Sequence, residues 1–270
     1  MAGLDGSKLP ADIFMELASE TRCSMLLMLD EQPRRSNELA KKLNLTMQEA
    51  HRNTSRLMEA GIIRKNSDGL FSITEYGKII TGQISYFQFL KGHRQFFEEH
   101  TLGNIPAKFL QRIGALQNCK IVSSVTAVFE RLKKMEGSAK EHLKIMASQA
   151  WTEEGKILAD RVRNGVKVQF IVGHNTVFPK SVVEFSVKEI EVLRVKGNPE
   201  GRMVDEVSIA LFVADNQSGV MFPNLKGEVD MGTLFASDDQ MFNEWCLDLF
   251  NYTWEHSKPF DIYKTRIVES

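Results

Sequence analysis

At 270 residues, 43% hydrophobic and 26% charged, with a formal net charge of −1, the chain has room for two domains and a substantial core. That near-neutral balance excludes a basic coat set by composition, so any anion-binding surface has to be local. No apolar run approaches the ~20 residues that cross a bilayer, and Met1-Ala2-Gly3-Leu4-Asp5-Gly6 does not have the form of a signal peptide, so the expected compartment is the cytoplasm.

The first informative stretch runs from Arg34 to Thr74. Ser36 is a good N-cap, Glu38 sits near the positive start of a helix, and Leu39, Ala40 and Leu43 share its apolar face. Asn44 and Leu45 break it. Thr46 with Glu49 then forms a capping box that opens a second helix through Ala60, with Ala50, Thr54, Leu57 and Met58 as its inward stripe. Gln48, Glu49, His51, Arg52, Ser55 and Arg56 fall on the opposite face. Gly61 ends this helix, Ile62 and Ile63 begin a strand, Asn66-Ser67-Asp68-Gly69 reverses the chain, and Leu70, Phe71 and Ile73 return as a second strand. Helix, turn, helix and hairpin in this order outline a winged helix-turn-helix.

Charge agrees with that outline. Arg34 to Lys65 holds eight basic and three acidic side chains, a local +5, whereas residues 1–33 hold two basic and six acidic, or −4. A helix that enters the major groove needs long polar donors, which makes Gln48, His51, Arg52, Ser55 and Arg56 the base-reading candidates for double-stranded DNA. Arg34, Arg35, Lys41, Lys42, Arg64 and Lys65 flank them as phosphate contacts. The competing reading is an ordinary solvated helical face.

Residues 11–76 resemble the DNA-binding domain of ArsR-like and related archaeal winged-helix regulators. The resemblance is carried by Ser19-Glu20-Thr21-Arg22 opening an apolar helix, by Asn37-Glu38-Leu39-Ala40-Lys41-Lys42-Leu43, by Arg52, and by Leu57-Met58-Glu59-Ala60-Gly61-Ile62-Ile63. It implies that the second stretch precedes the recognition helix and the last one closes it and starts the wing. Metal-sensing members carry cysteines on the helix that here reads Glu38 to Lys42; none is present, so no metal site is carried over.

Past the wing, Thr74 can cap a linking helix over 75–99, with Ile80, Ile84, Phe87 and Leu90 at helical spacing and Phe89, Phe96 and Phe97 on other sides. So apolar a helix must be covered, by its own chain or by a second copy in a homodimer reading two half-sites. Gly103-Asn104-Ile105-Pro106 marks a boundary, which divides the chain into a domain over 1–76, a linker over 77–104, an effector domain over 105–258 and a tail over 259–270.

The second domain alternates strands at 120–124, 143–147, 166–172, 190–195, 207–214 and 219–223 with helices at 106–116, 125–135, 152–164 and 238–256, an α/β layer pattern. Residues 105–116 resemble the opening of the effector domain of archaeal methanogenesis-type regulators. Like the sugar-sensing domain of TrmB-like regulators, that domain is similar in outline to the phospholipase D sheet, here in degenerate form. His142-Leu143-Lys144 supplies the His-x-Lys pair, but Gln149 stands where the Asp belongs. Asp215 ends an apolar strand with only Ser208 and Ala210 seven and five positions before it. No nucleophile pairs with it, so no catalytic residue is expected, and His142 reads as a surface or satisfied histidine. Phosphate-loop, zinc-protease and nucleophile-elbow patterns are missing, and no cofactor or metal is expected. His174, placed after a strand, is a candidate ligand contact or a structural turn histidine. Cys23, Cys119 and Cys246 read as buried thiols, with redox sensing as the alternative. Residues 200–250 carry ten acidic and two basic side chains, a solvated surface or an attractor of cations.

The expectation is a DNA-binding transcription regulator, homodimeric, whose second domain senses a small-molecule effector or assembles with other subunits. A protein-interaction module and a phosphodiester hydrolase are the alternatives.

Overall fold

A computed structural model describes residues 10–151, 153–185, 198–261 and 264–268. The chain divides into two compact units, Met1–Gln88 and Phe89–Ser270. The division falls inside the segment expected to link two domains.

In the first unit, α1 (Ala11–Leu17) precedes α2 (Glu20–Glu31), whose N-cap Ser19 accepts a hydrogen bond from the Arg22 amide. α3 (Ser36–Lys42) begins at its expected cap, one residue early: Ser36 is the first helical residue, Arg35 is the N-cap, and the Glu38 carboxylate accepts from the Arg35 amide. Asn44 takes φ 53°, a left-handed conformation that Asn tolerates, and turns the chain into α4 (Met47–Glu59). Gly61 at φ 71° releases it into β1 (Ile63–Lys65), which pairs antiparallel with β2 (Phe71–Ile73). Arg34 bridges to Phe71 on the other side of that hairpin. Met25, Leu26 and Leu29 of α2, Leu39 and Ala40 of α3, Ala50 and Leu57 of α4, and Ile62, Ile63, Phe71, Ile80 and Ile84 form one buried cluster.

The expected helix over 75–99 is three helices: α5 (Glu75–Thr81), α6 (Ile84–Gly92) and α7 (Phe96–Glu99). Ile80 and Ile84 enter the first unit's core, with Gly77 so close to the Ile62 carbonyl that a Cβ would stand 2.0 Å from it. Phe89, Phe96 and Phe97 instead pack among Phe222 and Phe235 of the second unit. His100 stacks on Phe96 at 3.8 Å and ties the end of α7 to Asp230 through Nε2 at 3.1 Å.

Among the described residues, the second unit is an α/β domain around a nine-stranded mixed sheet with strand order β10-β6-β5-β4-β7-β8-β9-β3, β11 pairing separately with β5. In chain order the strands are β3 (Lys120–Ser123), β4 (His142–Gln149), β5 (Lys167–Pro179), β6 (Glu200–Val204), β7 (Ala210–Ala214), β8 (Gln217–Met221), β9 (Thr233–Ser237), β10 (Lys258–Pro259) and β11 (Arg266–Val268). β4, β5 and β6 run parallel, and β7 to β9 continue as an antiparallel meander. The helices are α8 (Ala107–Leu110), α9 (Val125–Ser138), α10 (Glu154–Arg163), α11 (Lys180–Phe185) and α12 (Gln240–Glu255), with a 3-10 turn over Ile113–Leu116 in place of the second half of the helix expected at 106–116. Leu143, Ile145 and Ala147 alternate toward α9 and one face of the sheet, packing on Val128, Leu132, Met135, Ala210 and Phe212. The strand expected at 190–195, and residue 152 of the expected helix, lie outside the described residues. β6 and β9 were not foreseen. His174 lies inside β5 rather than after it, because β5 continues through a bulge as far as Pro179.

Candidate nucleic-acid interface

Thr46 caps α4 reciprocally: its hydroxyl accepts from the Glu49 amide at 3.2 Å, and the Glu49 carboxylate accepts from the Thr46 amide at 2.8 Å. The Thr46 amide, together with the Thr46 hydroxyl donating to the same carboxylate at 2.8 Å, holds the Glu49 carboxyl below its ordinary range. Ala50, Asn53, Thr54 and Leu57 are buried, so the helix has one fixed rotation about its axis. That rotation leaves Gln48, His51 and Arg52 exposed and Ser55 half-exposed.

Arg56 differs from its neighbours. Its guanidinium meets the Glu16 carboxylate of α1 at 2.6 Å, and Glu16 also lies 2.8 Å from Arg22 Nε. Arg22 is buried, donating to the Met15 carbonyl at 2.8 Å, the Glu16 carbonyl at 3.0 Å and Asn53 Oδ1 at 3.4 Å. One carboxylate thus joins α1, α2 and α4. Sequence reasoning missed Glu16, which is 40 residues from Arg56 and carries no local signal.

Among the phosphate candidates, Arg35, Lys41, Lys42, Arg64 and Lys65 are exposed. Arg35 reaches the wing turn, its guanidinium close to Gly69. Arg64 Nε lies 3.4 Å from Ser72 Oγ, and Lys65 Nζ sits 5.6 Å from the Phe71 ring centre. Arg34 must be withdrawn from this group. It is 5% exposed, and its guanidinium donates to the Met28 carbonyl at 3.1 Å and the Glu31 carboxylate at 3.0 Å, while its backbone exchanges hydrogen bonds with Phe71. The wing turn is held by the Asn66 amide donating to the Leu70 carbonyl at 2.8 Å and by Gly69 at φ 82°.

The second unit's catalytic-looking residues are engaged otherwise. The Asp215 carboxylate accepts from the backbone amides of Lys140, Glu141 and His142 at 2.8–3.0 Å. Partial burial pushes this carboxyl upward, but those three donors outweigh it and leave the pKa lowered. His142 Nδ1 is 3.9 Å from Asp215, and the side chain is 31% exposed although its Nε2 is buried without a hydrogen-bond partner, so the imidazole is half-buried and not fully satisfied. Burial raises all three thiols, Cys119 to about 11, which keeps them protonated and poorly reactive. Among the described residues no cluster of three or more His, Cys, Asp or Glu could hold a metal ion, and no helix is long and apolar enough to cross a membrane.

Residues 10–91 match the HVO_A0261 N-terminal domain, and residues 123–256 match the middle domain of the methanogenesis regulatory protein FilR1. No curated protein matches. Among solved structures, the chain is similar to TrmBL2, described as an archaeal chromatin protein with a novel mode of DNA binding, at 12% identity and TM-score 0.43, covering 93% of this chain and 100% of that one. It is also similar to Nuc, a phospholipase D family member from Salmonella typhimurium, at 14% identity and TM-score 0.40, covering 53% of this chain and 97% of that one. A third similarity, to the dimethyltransferase RosA from Streptomyces davawensis, has 13% identity and TM-score 0.26, covering 72% and 63%.

Proposed function

With an HVO_A0261 N-terminal domain followed by a methanogenesis-regulator FilR1 middle domain as its two halves, we propose that the chain is a sequence-specific DNA-binding transcription regulator. The observation that carries this reading is the division of labour on α4. One stripe is locked into the core, and the opposite face offers Gln48, His51 and Arg52 to solvent without an ion pair among the described residues. Gln48 and Arg52 present the donors that read base edges, His51 and Ser55 assist, and Arg56 assists only while it shares Glu16. Arg35, Lys41, Lys42, Arg64 and Lys65 hold phosphates and set the register on the duplex.

The protein acts as a homodimer in this reading. Phe14, Tyr76, Ile79 and Phe87 remain 47–70% exposed, with Phe14 and Phe87 in edge contact at 6.5 Å, a surface suited to a second copy. The second unit senses a ligand or assembles with other subunits, and it does not hydrolyse phosphodiesters. The Asp215 carboxylate is occupied by backbone amides, and Gln149 stands where a catalytic carboxylate would be needed.

Selection of bound duplexes from a random pool, followed by titration at two salt concentrations, tests the reading. A palindromic consensus with affinity that falls steeply with salt is the expected result. Salt-insensitive or undetectable binding would favour a protein-interaction module.

A further inference from the structure

The face of the large sheet opposite α9 carries a polar row that DNA binding leaves unused. Strand registry sets Lys144 of β4 beside Gln169 of β5, and Gln169 beside Glu200 of β6. One row further along, Met146 is beside Ile171 and Ile171 beside Arg202. Side chains two apart on a strand share a face, so Lys144 and Arg202 point to the same side, two strands or roughly 10 Å apart laterally. Both side chains are long enough to converge on one small group.

The last turns of α12 meet both cations. Lys144 Nζ lies 4.9 Å from the Phe250 ring centre, and the Arg202 guanidinium 5.3 Å from that of Trp254. The two rings stack on each other at 5.7 Å and 24°. Lys144 donates to the side-chain carbonyls of Gln169 and Asn251, both neutral acceptors. Gln169 in turn donates to Glu200 at 3.2 Å, so the amide stands between Lys144 and the row's one carboxylate. Neither Lys144 nor Arg202 makes an ion pair among the described residues. Partial burial lowers the Lys144 pKa, and the Glu200 charge across Gln169 opposes that shift only in part. An aromatic face offsets part of that desolvation, and an anion would offset more.

We propose that Lys144 and Arg202, held by the Phe250 and Trp254 rings, form a binding site for a small organic anion with a carboxylate or phosphate headgroup. Gln169 and Asn251 supply the neutral hydrogen-bonding groups at its edge. The proposal gives a chemical class to the ligand-sensing role assigned above to the second unit, and rests on that role only for its consequence in regulation.

The full chain is titrated with inorganic phosphate, glycerol 3-phosphate, succinate and benzoate, followed by tryptophan fluorescence and calorimetry. At least one probe should bind saturably, and Lys144→Met and Arg202→Met should each weaken it by about tenfold or more, with Arg202→Lys intermediate. Preference for the phosphates or for the carboxylates identifies the headgroup. Variants are compared at matched thermal midpoints, so a folding defect is visible separately. Absence of saturable binding up to roughly 10 mM of every probe, or equal binding by wild type and both Met variants, overturns the site. DNA affinity without added anion is measured in parallel. If it is intact while anion binding is absent, the site alone fails. If it is lost while anion binding persists, the regulator reading alone fails.

Discussion

The two units treat buried charge in opposite ways. In the first, Arg22 is withdrawn from solvent but faces Glu16 and three further oxygen acceptors, and Arg34 is withdrawn against Glu31 and a carbonyl. In the second, Glu136 on α9 and Glu154 on α10 are 0% and 6% exposed, and neither carboxylate oxygen of Glu136 has a hydrogen-bond partner. A paired buried charge fixes geometry and is insensitive to pH near neutrality. An unpaired one keeps its proton and links folding to pH.

The largest effect follows from breaking the paired case. Arg22→Met leaves the buried Glu16 with only Arg56 as counter-charge and should cost toward the lower end of the about 3–5 kcal/mol typical of buried pairs that lose one partner. Chemical denaturation monitored on the first unit checks it. A loss under about 1 kcal/mol would mean that Arg56 alone compensates Glu16.

The unpaired case gives a pH signature instead. Burial first, then the nearby Glu154 charge, raises the Glu136 carboxyl far above its ordinary range, and burial raises Glu154 to about 8. A carboxyl whose folded pKa exceeds its unfolded value binds protons on folding. Its full stability is therefore present below pH ~4.5 and declines as the pH rises toward 8. Glu154→Gln should remove the Glu154 part of that slope and stabilise the protein at pH 8.5 by a few kcal/mol, on the order of 2–4, leaving the part that burial of Glu136 contributes. A variant with the wild-type pH profile would show that Glu154 is not a source of it.

The same contrast explains what could be read from the chain beforehand. α4 and the wing are specified by neighbours: Thr46 caps with Glu49 three residues on, Gly61 and Gly69 adopt positive φ, and one helical stripe is apolar. Exposure of Gln48, His51 and Arg52 follows from that stripe alone. Arg34 was misplaced because its guanidinium turns back onto the Met28 carbonyl and Glu31 at the end of α2, while its backbone bridges Phe71 only when the hairpin closes. Arg56 was read as free because Glu16 is remote in sequence. β6 is Glu-Gly-Arg-Met-Val, with no apolar alternation to announce a strand. It exists because β5 offers it a parallel edge, a long-range condition. β9 sits within the acidic stretch, where flanking carboxylates mask five residues of strand. The Lys144 and Arg202 juxtaposition is likewise a product of strand order.

On the exposed face of α4, the effects are on recognition rather than stability. Arg52→Ala should cost about 1–3 kcal/mol at one base position and relax specificity there, with little change in the folding midpoint. Selection from a random pool with wild type and variant side by side reads this directly. A uniform loss across all positions would move Arg52 from the bases to the backbone.

The smallest effect belongs to Lys65, and it discriminates most finely between the two uses of charge. Lys65 is exposed beside the Phe71 ring and has no ion pair among the described residues, so removing it strands no buried partner. Lys65→Ala should therefore leave folding unchanged within about 0.5 kcal/mol. On DNA it should weaken every duplex alike and lower the slope of log affinity against log salt by about one, the signature of one lost phosphate contact. Arg34→Ala should do the reverse, lowering stability through the exposed Glu31 and the hairpin while leaving the salt slope of the folded protein unaltered. If Arg34 and Lys65 gave the same salt response, the wing would have to be open enough to free Arg34, and the division between structural and DNA-facing cations in this unit would fall.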